Sequence, residues 1–175
     1  MDRKELARRI HDASHIKGRF RLRSGVESDE YFDKYLFETD PKLLWEIAQA
    51  LSQFIPKDVD ALAGLEMGGI PIATVLSQIT GIPTLFVRKT PKTYGTCKFA
   101  EGGEVSGRKL VIIEDVVTSG GQIQVSAKAL RELGASIVQV VCVIDRESGA
   151  KENLSSDGLE LHALFRMAEL KQASS

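Results

Sequence analysis

Cysteine is scarce in this chain, with two in 175 residues. Cys97 stands in a polar loop and Cys142 inside the apolar stretch Val138 to Ile144. Their unlike settings argue against a disulfide, so both read as free thiols of a reducing cytoplasm, Cys142 as a small core residue. An excess of one charge is missing too. Lys and Arg number 23 against 24 Asp and Glu, for a net charge of −1, so no overall field favours nucleic acid. No apolar run approaches the roughly 20 residues that would span a membrane, and Met1 to Ala13 lack the apolar core of a signal peptide. Repeats are absent, and biased composition is confined to the tail, Gln172 to Ser175. Histidine is rare. His11 and His15 are four apart and could share a helix face, but no third ligand stands nearby, so a solvated face is preferred to a metal pair. A hydrophobic content of 43% in 175 residues is enough for one well-buried domain and too little for two of ordinary size.

What is present is concentrated in Lys109 to Gln122, KLVIIEDVVTSGGQ. Leu110 to Ile113, then Val116 and Val117, surround two adjacent acids, Glu114 and Asp115. The polar turn Thr118, Ser119, Gly120 and Gly121 leads into a helical pattern from Ile123 to Leu133. An unbroken branched-aliphatic run reads as a strand buried on both faces, as in parallel sheets. Two carboxylates are costly to desolvate inside such a strand, so they are expected at its open C-terminal edge, where open α/β sheets bind ligands. The turn offers two hydroxyls, two residues without Cβ and the free N–H groups of a helix start, which suit a phosphate. Acids for sugar hydroxyls beside a phosphate cradle point to a phosphorylated ribose. The plainer alternative is a turn whose acids cap a neighbouring helix, and a cap needs one acid rather than two in tandem.

Along the chain, Leu6, Ile10 and Ala13 or Ser14 mark a helix over residues 2–15. Arg19, Arg21 and Arg23 alternate with Phe20 and Leu22, the pattern of a half-buried strand, within two strand-like pieces around a Ser-Gly turn. Asp40 and Pro41 open a helix to about Phe54 as N-cap and first helical residue. From Val59 the pattern becomes α/β, with strands at Asp60 to Leu65, Thr84 to Val87, Lys109 to Glu114 and Ile137 to Ile144. Helices from Gly68 to about Gly81 and Gly120 to Leu133 alternate with them, which implies a parallel sheet with right-handed crossovers. A polar segment after Arg146 precedes a last strand, Leu159 to Phe165, and a short helix. Gly64, Gly68 and Gly69 suit backbone approach to an anion, and a helix-start turn explains them equally well. Arg88 to Gly107 has no regular period, and loops this long in a small domain are usually lids. Arg88, Lys89, Lys92 and Lys98 precede its first acid, Glu101, so the loop suits folding over a polyanion; a solvated surface loop is the alternative.

The strand, diacid and TSGG turn closely resemble the phosphoribosyl-pyrophosphate (PRPP) signature of type I phosphoribosyltransferases, although Gln122 stands where that family carries a small hydroxyl residue. Arg88-Lys89-Thr90-Pro91-Lys92-Thr93-Tyr94-Gly95, followed by Ala100-Glu101-Gly102, narrows the resemblance to the orotate phosphoribosyltransferases. Leu22-Arg23-Ser24-Gly25, Ser28 and Tyr31-Phe32-Asp33 resemble the hood of that family, with Arg23 in place of lysine. Asp145-Arg146 resembles its Asp-Arg after the fifth core strand. The resemblance covers Phe20 to Leu164.

It implies an α/β fold of the type I phosphoribosyltransferase kind, with a central, mostly parallel sheet flanked by helices and a small N-terminal hood. Residues 1–175 would form one domain, with a hood of about residues 1–40 plus the C-terminal segment, a core of about 41–146 and a mobile lid of about 88–107. The implied reaction is transfer of 5-phosphoribosyl from PRPP to orotate, giving orotidine 5'-monophosphate and pyrophosphate. The alternatives are a transferase for another base and a non-catalytic PRPP-binding regulator. Lys92, Asp115 and Glu114 are the implied catalytic residues. PRPP would be held by Arg88, Lys89, Lys92, Tyr94 and the run from Glu114 through Asp115, Val116, Val117, Thr118, Ser119, Gly120 and Gly121 to Gln122. Orotate would be held by Arg23, Thr118 and Arg146. Mg²⁺ would arrive on PRPP without a protein cage of its own, and a homodimer sharing the lid across its interface is implied, with neither nucleic acid nor membrane as a partner.

Overall fold

In the computed structural model, which describes residues 1–21, 25–93, 95 and 98–174, the chain begins with α1 (Arg3–Ser14). The Asp2 side chain caps this helix by accepting from Glu5 N–H, and Leu6, Ala7 and Ile10 are its buried stripe. The antiparallel pair β1 (His15–Arg21) and β2 (Glu27–Phe32) forms a sheet of its own. A short helix, α2 (Tyr35–Thr39), precedes α3 (Pro41–Leu51). Asp40 caps α3 as the sequence predicts, accepting from Lys42 N–H at 2.9 Å and Leu43 N–H at 3.1 Å. Those bonds, that to Leu43 above all, hold its carboxyl below the usual range.

The main sheet contains β3 (Ala61–Leu65), β4 (Thr84–Val87), β5 (Ala100–Glu101), β6 (Lys109–Val117), β7 (Ser136–Asp145) and β8 (Leu161–Arg166), in the order β5-β4-β3-β6-β7-β8. Pairing is parallel except between β4 and β5. The crossovers are α4 (Gly69–Thr80), α5 (Gly121–Glu132) and α6 (Ala150–Ser156), and α7 (Met167–Ala173) ends the chain beside α1. Central β6 feeds both cores: Val111 and Ile113 join the cluster with α1, α3 and α4, whereas Leu110 and Ile112 join the one with α5 and α6. Cys142 is fully buried in the second cluster, and burial pushes its thiol pKa up. Among the described residues no helix is long and apolar enough to cross a membrane.

Four elements depart from the sequence reading. Helices α2 and α6, of 5 and 7 residues, are too short for a period to show. The lid contains β5, whose Glu101 and Ala100 pair with Phe86 and Val87 of β4. Strand β6 continues three residues beyond Glu114, because its backbone keeps pairing with β7 through Val117 and Asp145. The diacid therefore lies inside the strand and not at its tip.

Candidate active site

Two clefts open beyond the C-terminal ends of the parallel strands and meet at Lys34, Tyr35, Val116 and Thr118. The inner cleft, of about 340 Å³, takes Glu114 and Val116 to Val117 from β6, Thr118 to Gln122 from the turn and the start of α5, Glu66 and Met67 from the β3–α4 turn, and Lys89 from the lid. Gly120 adopts φ 81°, a left-handed conformation that glycine enters at no steric cost. No side chain caps α5 there, which leaves its first N–H groups and the positive end of its dipole for an anion. Asn153 Nδ2 fastens the turn by donating to the Ser119 carbonyl at 2.9 Å. Gln122 Nε2 reaches Ser126 Oγ at 3.3 Å, so this side chain is engaged along α5.

The glycines before α4 serve packing. A Cβ on Gly69 would overlap the Ile113 carbonyl, and one on Gly68 would overlap the Asp115 carboxylate. The helix start is thus pressed against β6, and the Glu66–Met67 peptide beside it is cis. Glu66 Oε1 accepts from Lys89 N–H at 2.5 Å, tying this turn to the base of the lid.

The two adjacent acids divide. Glu114 lines the inner cleft and accepts from Asp115 N–H at 3.0 Å. Burial, with the charge and hydrogen bond of Asp115, raises its pKa well above the usual carboxyl range. Asp115 is fully buried and lines neither cleft. Its Oδ2 lies 2.6 Å from Lys34 Nζ and its Oδ1 accepts from Val116 N–H at 2.5 Å. Burial pulls the Lys34 pKa down, but the hydrogen bond and charge of Asp115 outweigh it and leave the ammonium above its ordinary value. Sequence reasoning missed Lys34 and its neighbour Tyr35, both of which line both clefts. The visible signal was their place directly after Tyr31-Phe32-Asp33.

The outer cleft, of about 990 Å³, is lined from α1, β1, β2, β6, α7 and the ends of neighbouring loops, with Arg146 and Thr118 facing Phe32 and Tyr31. Arg146 has no ion pair among the described residues. Asp145 accepts from Glu147 N–H at 2.8 Å, and Glu147 reaches Arg166 at 3.9 Å and Ala168 N–H at 3.3 Å, so the acids beside Arg146 are engaged elsewhere. His11 and His15 are not on a solvated face. Both line this cleft, their rings tilted at 31° with centroids 4.8 Å apart, and His15 Nε2 is 2.7 Å from Glu30 Oε2.

Of the lid cations, Lys89 alone lines a cleft among the described residues. Lys92 pairs with Glu101 at 2.5 Å and Arg88 lies 3.4 Å from the same oxygen. The hydrogen bond from Lys92 leads the causes that lower the Glu101 pKa. The lid is anchored by β5 and by buried Phe99, Ala100 and Val105. Arg23 and Tyr94 lie outside the described residues, as do Leu22, Ser24 and Cys97.

An uncapped helix start beyond a parallel sheet, beside a second cleft whose Arg146 has no ion pair among the described residues, suits a phosphorylated ligand. Residues 38–159 match the model of the phosphoribosyl transferase domain. The chain belongs to the phosphoribosyltransferase family. Among its phosphoribosyltransferase relatives, the orotate phosphoribosyltransferase of Nocardioides sp. is 48% identical over 168 residues, covering 96% of this chain and 94% of that protein. A crystal structure of Mycobacterium tuberculosis orotate phosphoribosyltransferase in complex with Fe(III) dicitrate superimposes with a TM-score of 0.88 at 31% identity, covering 97% of this chain and 99% of that one. The same enzyme in complex with PRPP gives 0.83 at 28% identity, covering 98% and 99%.

Proposed function

We infer that this phosphoribosyltransferase transfers the 5-phosphoribosyl group of PRPP to orotate, giving orotidine 5'-monophosphate and pyrophosphate in pyrimidine biosynthesis. The observation that carries this reading is the meeting of the two clefts at Thr118, with an anion cradle on one side and Arg146 without an ion pair on the other. A ring nitrogen of orotate attacks ribose C1 as the C1–O bond to pyrophosphate breaks, and the bonding pair leaves on the pyrophosphate oxygen. Thr118, Ser119, Gly120 and Gly121 hold the 5-phosphate through hydroxyls and N–H groups. Glu114 accepts from a ribose hydroxyl and offsets positive charge developing on the sugar. Asp115 takes the second hydroxyl as Lys34 turns from it towards the ligand. Arg146 grips the orotate carboxylate in a planar fork, with Arg23 as the second acceptor contact.

Arg88, Lys89 and Lys92 close over the leaving pyrophosphate, exchanging Glu101 for its oxygens, and Tyr94 adds a hydrogen bond. The lid reaches the active site of a second copy in a homodimer, and the enzyme works in the cytoplasm. Mg²⁺ would arrive on PRPP and, when bound, would supply neutralisation of the pyrophosphate charge. Among the described residues no group of three or more His, Cys, Asp or Glu is placed to hold a metal ion, so the chain offers supporting carboxylates, Glu66 and Glu114 of the inner cleft. The test is turnover with PRPP and Mg²⁺, followed by orotate absorbance beside uracil, hypoxanthine and adenine. Consumption of orotate alone supports the reading, and preference for another base overturns it.

A further inference from the structure

Asp115 has a second acidic neighbour that the proposed chemistry leaves unused. Glu38 lies on α2, one turn after Lys34, and is 8% exposed. One helical turn brings its carboxyl to the side of α2 from which Lys34 reaches Asp115 at 2.6 Å. Oε1 of Glu38 and Oδ2 of Asp115 are both buried and neither accepts a hydrogen bond from a protein donor, although Lys34 Nζ is within ion-pair distance of the latter. Neighbouring buried carboxyl groups with a single ammonium between them do not both stay ionised, and a buried oxygen without a protein donor is best served by a shared proton. Lys34 neutralises one acid of the group, and the proton on Glu38 neutralises another.

The two partners of Asp115 differ in freedom. Lys34 approaches from the clefts, and its side chain is 35% exposed, so it can leave for a ligand. Glu38 lines neither cleft and has nowhere else to go. We propose that Glu38 is a positioning residue for the transferase reaction, a proton-bearing donor that keeps the Asp115 carboxylate aimed at the ribose when Lys34 is drawn away. The inference rests on the reading of Asp115 as an acceptor of a ribose hydroxyl.

Ionisation of Glu38 would end that role. Burial first, then the charge and hydrogen bond of Asp115, push its pKa up to about 8, with Lys34 opposing and Asp33 adding a little. Glu114 is the neighbouring acid on β6. Arg9 of α1 and Asp40 ahead of α3 engage each other at 3.6 Å. Below about pH 8 Glu38 is neutral and donates; above it Glu38 is an anion that repels Asp115.

The test is kcat and KM from neutral to alkaline pH for the parent, Glu38→Gln and Glu38→Ala. The parent should lose kcat as pH rises through about 8. Glu38→Gln, which keeps a donor that cannot ionise, should keep most of the turnover at neutral pH and lose that alkaline limb. Glu38→Ala should lower kcat about tenfold or more with little change in KM for orotate. Coincident pH profiles for the parent and Glu38→Gln would overturn the proposal, and this comparison decides even if Glu38→Ala does not fold. Infrared difference spectra provide a readout independent of turnover: the protonated carboxyl signal at neutral pH should lose the component of Glu38 in Glu38→Gln, leaving only that of Glu114. A parent inactive with orotate defeats the functional reading, whereas an unchanged infrared band defeats the assignment of the proton to Glu38.

Discussion

The inner and outer clefts share four residues and are built in opposite ways. The inner one is largely a single run of chain, Glu114 to Gln122, closed by backbone N–H groups, a left-handed glycine and the Glu66–Met67 turn. The outer one is assembled from α1, β1, β2, β6 and α7, and its charged groups are long side chains such as Arg146, Arg21 and Lys171. Under the proposed function, a cradle made of backbone would bind what any phosphorylated ribose offers, and a cleft made of dispersed side chains would select one acceptor. On that proposal the difference separates what serves any phosphoribosyltransferase from what would make this one specific for a base.

The backbone-built region should be the less forgiving. Gly68→Ala places a methyl against the buried Asp115 carboxylate, whose Oδ2 also meets Lys34. Overpacking of this kind should cost about 3 kcal/mol, or roughly 10 °C in Tm for a chain of this size, as read by thermal unfolding. A Tm within about 2 °C of the parent would mean that the turn yields easily and that the cradle is softer than described.

Among its described residues the proposed lid lines the clefts only through Lys89, so it should affect rate more than binding. Lys92→Ala should lower kcat on the order of a hundredfold and change KM for PRPP little, because its target charge develops mainly in the transition state. Mixing Lys92→Ala with Asp115→Asn subunits should restore part of the activity if a lid serves the other copy. No recovery from subunits that demonstrably exchange would place lid and cradle in one chain.

The same contrast explains what could be read from the sequence. The cradle was legible because Lys109 to Gln122 carries strand, acids and turn in contiguous order. Strand ends were legible to within a few residues wherever a glycine, a proline or a cap stood. The division of labour between Glu114 and Asp115 was not, because it depends on Lys34 and Glu38 approaching from α2, roughly 80 residues earlier in the chain. Nor was the resting state of the lid, in which Glu101 engages the cations assigned to pyrophosphate. The placement of His11 and His15 in the outer cleft depends on α1 ending at Ser14 and β1 beginning at His15, which four-residue spacing alone does not indicate.

The claim that the two clefts serve different substrates is tested most directly by a crossed pair of variants, with KM for PRPP and for orotate measured on each. Arg146→Ala removes a charged fork from the outer cleft, a loss of about 2–4 kcal/mol. It should raise KM for orotate by about tenfold or more and spare PRPP, with Arg146→Lys recovering part of the loss. Ser119→Asp sets a negative charge in the inner cleft and should raise KM for PRPP by about tenfold or more while sparing orotate. Opposite failures are the predicted result. Were both variants to weaken the same substrate, or Arg146→Ala to weaken PRPP alone, the division into a ribose-phosphate cleft and an acceptor cleft would be wrong.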